Sequence, residues 1–344
     1  MIEFLLDYGL FFAKTATILA ALLIVIGAMV SAGRKGEGEG SGRLEVKDLN
    51  HRFESMQQAI REAVFDDKAM KEYVKEKKKA DKKEKKGDAG DKPTVYVIDF
   101  DGDMKASALD QFREEITAVL TMATSDDEVV VRLESPGGMV HAYGLAASQL
   151  VRFKAAGIPL TICVDKVAAS GGYMMACIAD KLLSAPFAVL GSIGVVASIP
   201  NFNKVLKKND VDYELLTAGE YKRTLTMFGE NTEAGKNKFI EDLEETHELF
   251  KGFVNEYRPM LDIAEVATGE TWYGQKALEK NLVDAISTSD EYLLKRFAEA
   301  SLFQVSYVLK QSWQDKLGLA AASAMENAFY RVASKALNTW EAKR

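Results

Sequence analysis

Ser170 lies in Val167-Ala168-Ala169-Ser170-Gly171-Gly172-Tyr173, a serine set among small residues. Ahead of it stands Glu134-Ser135-Pro136-Gly137-Gly138, and after it come Gly191-Ser192-Ile193-Gly194 and Gly219-Glu220-Tyr221-Lys222-Arg223. A serine hydroxyl is a weak nucleophile near neutrality and needs a base beside it. Lysine can be that base once burial among apolar groups favours its neutral amine, and Tyr221, Leu225, Met227 and Phe228 surround Lys222 in the sequence. The glycines supply a third part. The N–H of Gly171, at the expected start of a helix, and that of Gly137 or Gly138 can hold an oxyanion, because glycine lets the backbone approach a substrate. These are the parts of a serine–lysine hydrolase. By spacing alone, Lys222 also reads as one of many surface lysines, Ser192 as a turn residue, and the small residues around Ser170 as a close-packed strand-to-helix turn.

The three histidines offer a weaker route. His51 precedes the expected compact domain. His247 falls inside a long helix, where a surface role is expected. His141 follows the SPGG turn and is the remaining candidate for a Ser-His-Asp arrangement.

Taken together and in order, SPGG, ASGGY, GSIGV and EYKR resemble the signal peptide peptidase A family of membrane-bound serine–lysine proteases. The resemblance runs from the N-terminal apolar segment through Thr288-Ser289-Asp290-Glu291, is densest over 132–229, and is poor after about Phe303. It implies an α/β fold of the ClpP/crotonase type, a repeating β-β-α superhelix. It also implies Lys222 as the dyad lysine, Ser192 as the residue that hydrogen-bonds Lys222, several subunits in a homo-oligomeric ring or dome, and a periplasmic catalytic domain.

The elements that must position these residues follow the pattern of apolar residues. Runs over 94–100, 128–134, 159–164, 181–184 and 189–196 read as strands, and 107–124, 143–156 and 232–257 as amphipathic helices. Residues 170–179 read as a short buried helix. Strands alternating with helices indicate a layered α/β domain. The expected organisation is a tail over 1–9, a transmembrane anchor over 10–30, a flexible and charged helical tether over 31–92, a protease domain over 93–300, and a helical extension over 301–344. The 10–30 segment is apolar apart from Lys14 and a few hydroxyl residues, and about 20 such residues span a bilayer core. Glu3 and Asp7 precede it where a cleaved signal would carry basic residues. These features predict a single-pass membrane protein in contact with lipid, and the resemblance implies the bacterial inner membrane. The basic residues after the span favour a cytoplasmic C-terminal side, opposite to what the resemblance implies. The tether and everything before about residue 90 read as dispensable for chemistry.

Composition narrows the partners. The 344 residues carry a net charge of −7 and show no basic surface interleaved with aromatics, so no nucleic acid is expected. No His/Cys ligand spacing and no Walker A pattern occur, so neither metal nor nucleotide cofactor is expected. Cys163 and Cys177, the only cysteines, both sit in apolar contexts and read as buried free thiols. The function these observations predict is a membrane-anchored serine endopeptidase for signal-peptide remnants or other unfolded, apolar, small-residue segments. A non-proteolytic scaffold or chaperone-like protein on the same fold is the alternative. An acyl-CoA enzyme of the crotonase type is a third, disfavoured by the anchor.

Overall fold

The computed structural model describes residues 9–12, 14, 15, 17, 19, 42–84 and 92–309. Most of the 10–30 anchor and all of 310–344 lie outside the described residues. Among the described residues no helix is long and apolar enough to cross a membrane. The chain divides into two units. One is Met1–Arg43 with Leu309–Arg344, and the other, Leu44–Val308, carries everything that follows.

In chain order the strands are β1 (Gly42–Asp48), β2 (Thr94–Asp101), β3 (Glu128–Glu134), β4 (Leu160–Val164), β5 (Val167–Ala169), β6 (Lys181–Ser184), β7 (Val189–Gly191), β8 (Thr271–Tyr273), β9 (Ala285–Ile286) and β10 (Ser301–Leu309). The helices are α1 (Leu49–Val64), α2 (Asp67–Glu84), α3 (Leu109–Leu120), α4 (Val140–Ala155), α5 (Gly171–Ala176), α6 (Asn203–Lys208), α7 (Glu233–Tyr257), α8 (Ile263–Val266), α9 (Gly274–Glu279) and α10 (Ser289–Phe297). They form a mixed α/β fold around a seven-stranded sheet in the order β1-β10-β2-β3-β4-β6-β9. From β10 to β9 every pair in this sheet is parallel. A smaller sheet holds β5, β7 and β8, with β5–β7 parallel and β7–β8 antiparallel.

The central strands are near-continuous apolar runs because both faces of a parallel sheet are covered. Alternation divides their side chains between two cores. Ile98, Phe100, Val129, Val131, Leu133, Leu160 and Ile162 pack with α3, α4 and α5 on one face. Val95, Val97, Val130, Cys163, Leu183 and Leu302 pack with Leu49 and Leu293 on the other. Both cysteines are buried and free, as the sequence suggests. Burial pushes the Cys163 thiol up to about 12 and raises that of Cys177 too, so neither is primed for reaction. Glu115 of α3 is buried and accepts the Tyr307 N–H at 2.7 Å, tying β10 to that layer. Burial, with Asp99 nearby, pushes its carboxyl up to about 7.

Two domain boundaries differ from the sequence expectation. The stretch over 301–309 is not the start of a helical extension; it is a strand of the central sheet, paired with β2 from Ser301↔Thr94 onward. From Gly42 onward the segment read as a tether is also part of the fold. β1 lies beside β10, and α1 seals the second core through buried Leu49. Asn50 Nδ2 donates to the Ala300 carbonyl at 3.1 Å, its Oδ1 accepts the Leu302 N–H at 2.6 Å, and the Phe53 and Phe297 rings lie 5.3 Å apart. The sequence misled because only the first turn of α1 packs on the core, while the apolar Met56, Ile60 and Val64 further along it are exposed among charged and polar residues. A chain beginning at Lys92 is therefore expected to be less stable than one beginning at Gly42. Exposing the sites of Leu49 and Phe53 costs about 3 kcal/mol, which a urea titration measures. Equal midpoints for the two chains would contradict this packing.

Candidate active site

β3 runs straight into the SPGG turn, and β5 runs straight into Ser170. The two exits lie side by side through a parallel bridge between Ser135 and Ala168. Ser135 fixes the turn. Tyr143 Oη donates its proton to the Asp103 carbonyl at 2.8 Å, so Ser135 Oγ donates to Tyr143 Oη at 2.6 Å and accepts the Gly137 N–H at 3.1 Å. Burial raises the Tyr143 pKa, which keeps the phenol a donor. Gly137 has φ +85°, and a Cβ there would lie 2.7 Å from Gly171 N and 2.8 Å from Ser170 Cβ. No side chain fits at that position, and the turn is pressed against the serine.

Ser170 itself has φ +52° and ψ −121°. A non-glycine residue held there is strained by about 1–3 kcal/mol and stays only where its neighbours impose it. Its N–H donates to the Gly191 carbonyl at 2.8 Å, and its own carbonyl accepts the Met174 N–H at 3.0 Å. The backbone is thereby bent so that α5 begins at the next residue. Ser170, Gly138, Gly171, Met174, Ser192 and Gly194 line one cleft of about 500 Å³, together with Val140, Val195, Val196, Thr246, His247, Phe250, Thr268 and Gly269. Neither the Ser170 nor the Ser192 hydroxyl has a hydrogen-bond partner among the described residues.

Of the three glycines read as oxyanion donors, two have N–H groups without an acceptor among the described residues, Gly138 and Gly171. The Gly137 N–H is already engaged by Ser135 Oγ. Its part is to let the turn close.

Lys222 does not join this group. It is exposed, its backbone N–H closes a turn onto Gly219 at 3.2 Å, and it is absent from the cleft lining. Tyr221, Met227 and Phe228, expected to shield it, are themselves 57%, 42% and 42% exposed. They belong to an arm between β7 and α7 that is stitched to itself. Phe202 N–H donates to the Met227 carbonyl at 2.7 Å, Asn201 Nδ2 donates to the Thr226 and Gly229 carbonyls, and Phe228 stacks near Phe202 and Tyr213. Val196 and Leu216 on this arm are 91% and 89% exposed. The physical reason for the departure is that an arm with this little contact to the core has nothing in the described chain to bury its apolar residues.

The histidines also sort differently from expectation. His141 is exposed on α4 and outside the cleft. His247, read as a surface residue, lines the cleft and has Nε2 3.3 Å from the Ile193 carbonyl. The signal was present in the helical spacing: His247, Phe250 and Val254 fall on one face of α7, and the latter two are buried. Thr246, Thr268 and Gly269 were not singled out either, because α7 and the loop after α8 come to the cleft only through the tertiary fold.

A strained serine at a strand-to-helix bend, two N–H groups without an acceptor among the described residues and an open cleft are features that acyl-transfer chemistry would use. The chain matches the description Peptidase family S49 N-terminal over residues 3–150 and Peptidase family S49 over residues 152–302. It is 50% identical over 344 residues to the Probable protease SohB of Haemophilus influenzae, covering 97% of each chain. It is 48% identical over 305 residues to the Probable protease SohB of Buchnera aphidicola subsp. Schlechtendalia chinensis, covering 86% of this chain and 100% of that one. Among solved structures, a mutant of 1510-N, a membrane-bound stomatin-specific protease in complex with a substrate peptide, is 18% identical with a TM-score of 0.40; the match covers 66% of this chain and 96% of that one. The chain belongs to peptidase family S49 and is a protease, and the family resemblance read from its motifs is borne out.

Proposed function

We propose that the chain is a membrane-anchored serine endopeptidase that works through Ser170 and Lys222. The observation that carries this reading is the strained Ser170 between the free N–H groups of Gly138 and Gly171. Ser170 Oγ attacks the substrate carbonyl carbon while Lys222 Nζ takes the hydroxyl proton. The carbonyl oxygen becomes an oxyanion and accepts from Gly138 and Gly171, an arrangement in which each donor contributes about 2.7–4 kcal/mol to lowering the barrier. The C–N bond then breaks, and the lysine ammonium protonates the leaving amine. Water, deprotonated by Lys222, then attacks the acyl-enzyme; the bond from the acyl carbon to Ser170 Oγ breaks, the lysine ammonium returns the proton to that oxygen, and a carboxylic acid is released. Ser192 holds the amine in line through its hydroxyl, which has no hydrogen-bond partner among the described residues.

For Lys222 to act, the arm over 195–230 must close over the cleft and dry it. Its exposed apolar residues support closure against bound substrate and against a second subunit, in keeping with a homo-oligomer. The paired strands β4–β5 and β6–β7, each sending one strand to each sheet, support a ClpP/crotonase-like superhelix as the frame. The apolar 10–30 segment supports a single-pass inner-membrane location, with the catalytic unit periplasmic.

The cleft wall supplied by Val140, Met174, Val195, Val196 and Phe250 favours extended apolar segments, such as signal-peptide remnants or unfolded protein, at about 25 cal/mol per Å² buried. Mapping cleavage sites by mass spectrometry on a mixed peptide library tests this. Cuts within Ala- and Leu-rich stretches are expected, whereas cuts clustered beside charged residues contradict the reading.

A further inference from the structure

We propose that His247 is a positioning residue of this protease: its ring clamps the Ile193 carbonyl and so fixes Ser192 in the Ser170 cleft. This rests on the serine–lysine reading above. The Ile193 carbonyl receives two donors from separate parts of the chain, His247 Nε2 of α7 at 3.3 Å and the Gly269 N–H at 3.2 Å. The Ile193 side chain is fully buried, so this residue is a peg in the core. Ser192, immediately before it, has φ +52° and donates its N–H to the Glu270 carbonyl at 2.6 Å. A non-glycine residue in that conformation costs about 1–3 kcal/mol and persists only where contacts over-determine it. The backbone contacts to residues 269 and 270 supply part of that constraint. His247 supplies the only side-chain hydrogen bond to the Gly191–Gly194 turn among the described residues, and it ties the turn to α7, which forms a wall of the same cleft.

The chemistry of the contact assigns the proton. A carbonyl only accepts, so Nε2 carries the hydrogen and the neutral ring keeps Nδ1 as its acceptor. Nε2 is therefore occupied and cannot take the Ser170 proton. No carboxylate is hydrogen-bonded to the ring among the described residues, so the orienting partner of a Ser-His-Asp arrangement is missing as well. The ring acts through Ser192 on the base.

The test compares His247→Leu, which keeps bulk and loses the donor, with His247→Gln, whose amide N–H can reach the same carbonyl. All variants are made in the full chain. His247→Leu is expected to lower kcat about tenfold, the size of one lost hydrogen bond that holds a reacting group, with KM within about twofold. Fluorophosphonate labelling of Ser170 slows by the same factor, because that small probe makes no use of the peptide-binding wall. His247→Gln restores both rates to within about threefold of the unaltered protein. In a Ser192→Ala background, His247→Leu adds no further loss. His247→Ala is measured alongside, in case the leucine variant does not fold.

Equal and near-complete loss in the Gln and Leu variants overturns the clamp in favour of the ring as the base. A rise in KM alone, with normal labelling, makes His247 a wall of the substrate cleft and also overturns it. Unaltered rates in both variants do so too. Failure of the dyad reading is separate: it appears as turnover by Ser170→Ala or Lys222→Ala, whatever His247 does. Dead Ser170→Ala and Lys222→Ala variants beside a fully active His247→Leu variant sink the clamp alone.

Discussion

Ser170→Ala is expected to lose peptide hydrolysis by about four orders of magnitude or more and to lose fluorophosphonate labelling altogether. In the proposed mechanism the hydroxyl is the attacking group, and neither a neighbouring side chain nor water at the same place can form the acyl-enzyme. The fold should survive. Ser170 Oγ has no hydrogen-bond partner among the described residues, and the backbone contacts that hold φ +52° are made by N–H and C=O groups that alanine keeps. The stability change is therefore expected to stay below about 1 kcal/mol. Intact-mass spectrometry after labelling, peptide mapping of the adduct, and a steady-state assay on one peptide check the result together. Turnover by the alanine variant at the normal rate rules Ser170 out. A protein that neither labels nor hydrolyses in its unaltered form returns the scaffold alternative.

The strands that position this serine were legible because parallel-sheet strands are long apolar runs. Glu128–Glu134 and Lys181–Ser184 stand where the pattern puts them, and α7 differs by one residue at its start. The apolar pattern over 189–196 extends beyond the strand it contains. Only Val189–Gly191 pairs, because Gly191 turns away at φ +97° and Ser192 follows at +52°. β1 and β10 carry no such local signal, for a different reason. Both lie toward one edge of the sheet, alternate only partly, and are partners of each other across more than 250 residues, a relation no local pattern carries. The roles of Gly137 and His247 were out of reach for the same reason. Whether an N–H is free depends on Ser135 Oγ, and whether a helix residue meets a cleft depends on what α7 packs against. The order of SPGG, ASGGY and GSIG does foretell which residues meet, since each motif follows a strand, β5 pairs with β7, and an isolated bridge between Ser135 and Ala168 joins the exits of β3 and β5. The EYKR motif ends no strand and sits on the arm, so its place was the least determined.

That arm makes Lys222 the sharper test of the mechanism. Lys222→Ala is expected to lower kcat by about 10²–10⁴-fold, the range for removing a positioned general base. Lys222→Arg should be equally impaired, because a guanidinium stays protonated at any working pH and cannot take the serine proton. Both variants should fold as the unaltered protein does, since the side chain is exposed and no described residue hydrogen-bonds to it. The arginine variant carries the argument. It keeps the charge and most of the length, so a lysine that merely attracted substrate or docked the arm would be rescued by it, and a base would not. His141→Ala serves as the control, expected to retain near-normal activity because that ring is exposed and outside the cleft. Loss in His141→Ala with activity kept in Lys222→Ala would replace the lysine mechanism with a histidine one. Loss in Lys222→Ala with full recovery in Lys222→Arg would leave Ser170 as nucleophile but make closure of the arm, and not proton transfer, the task of residue 222.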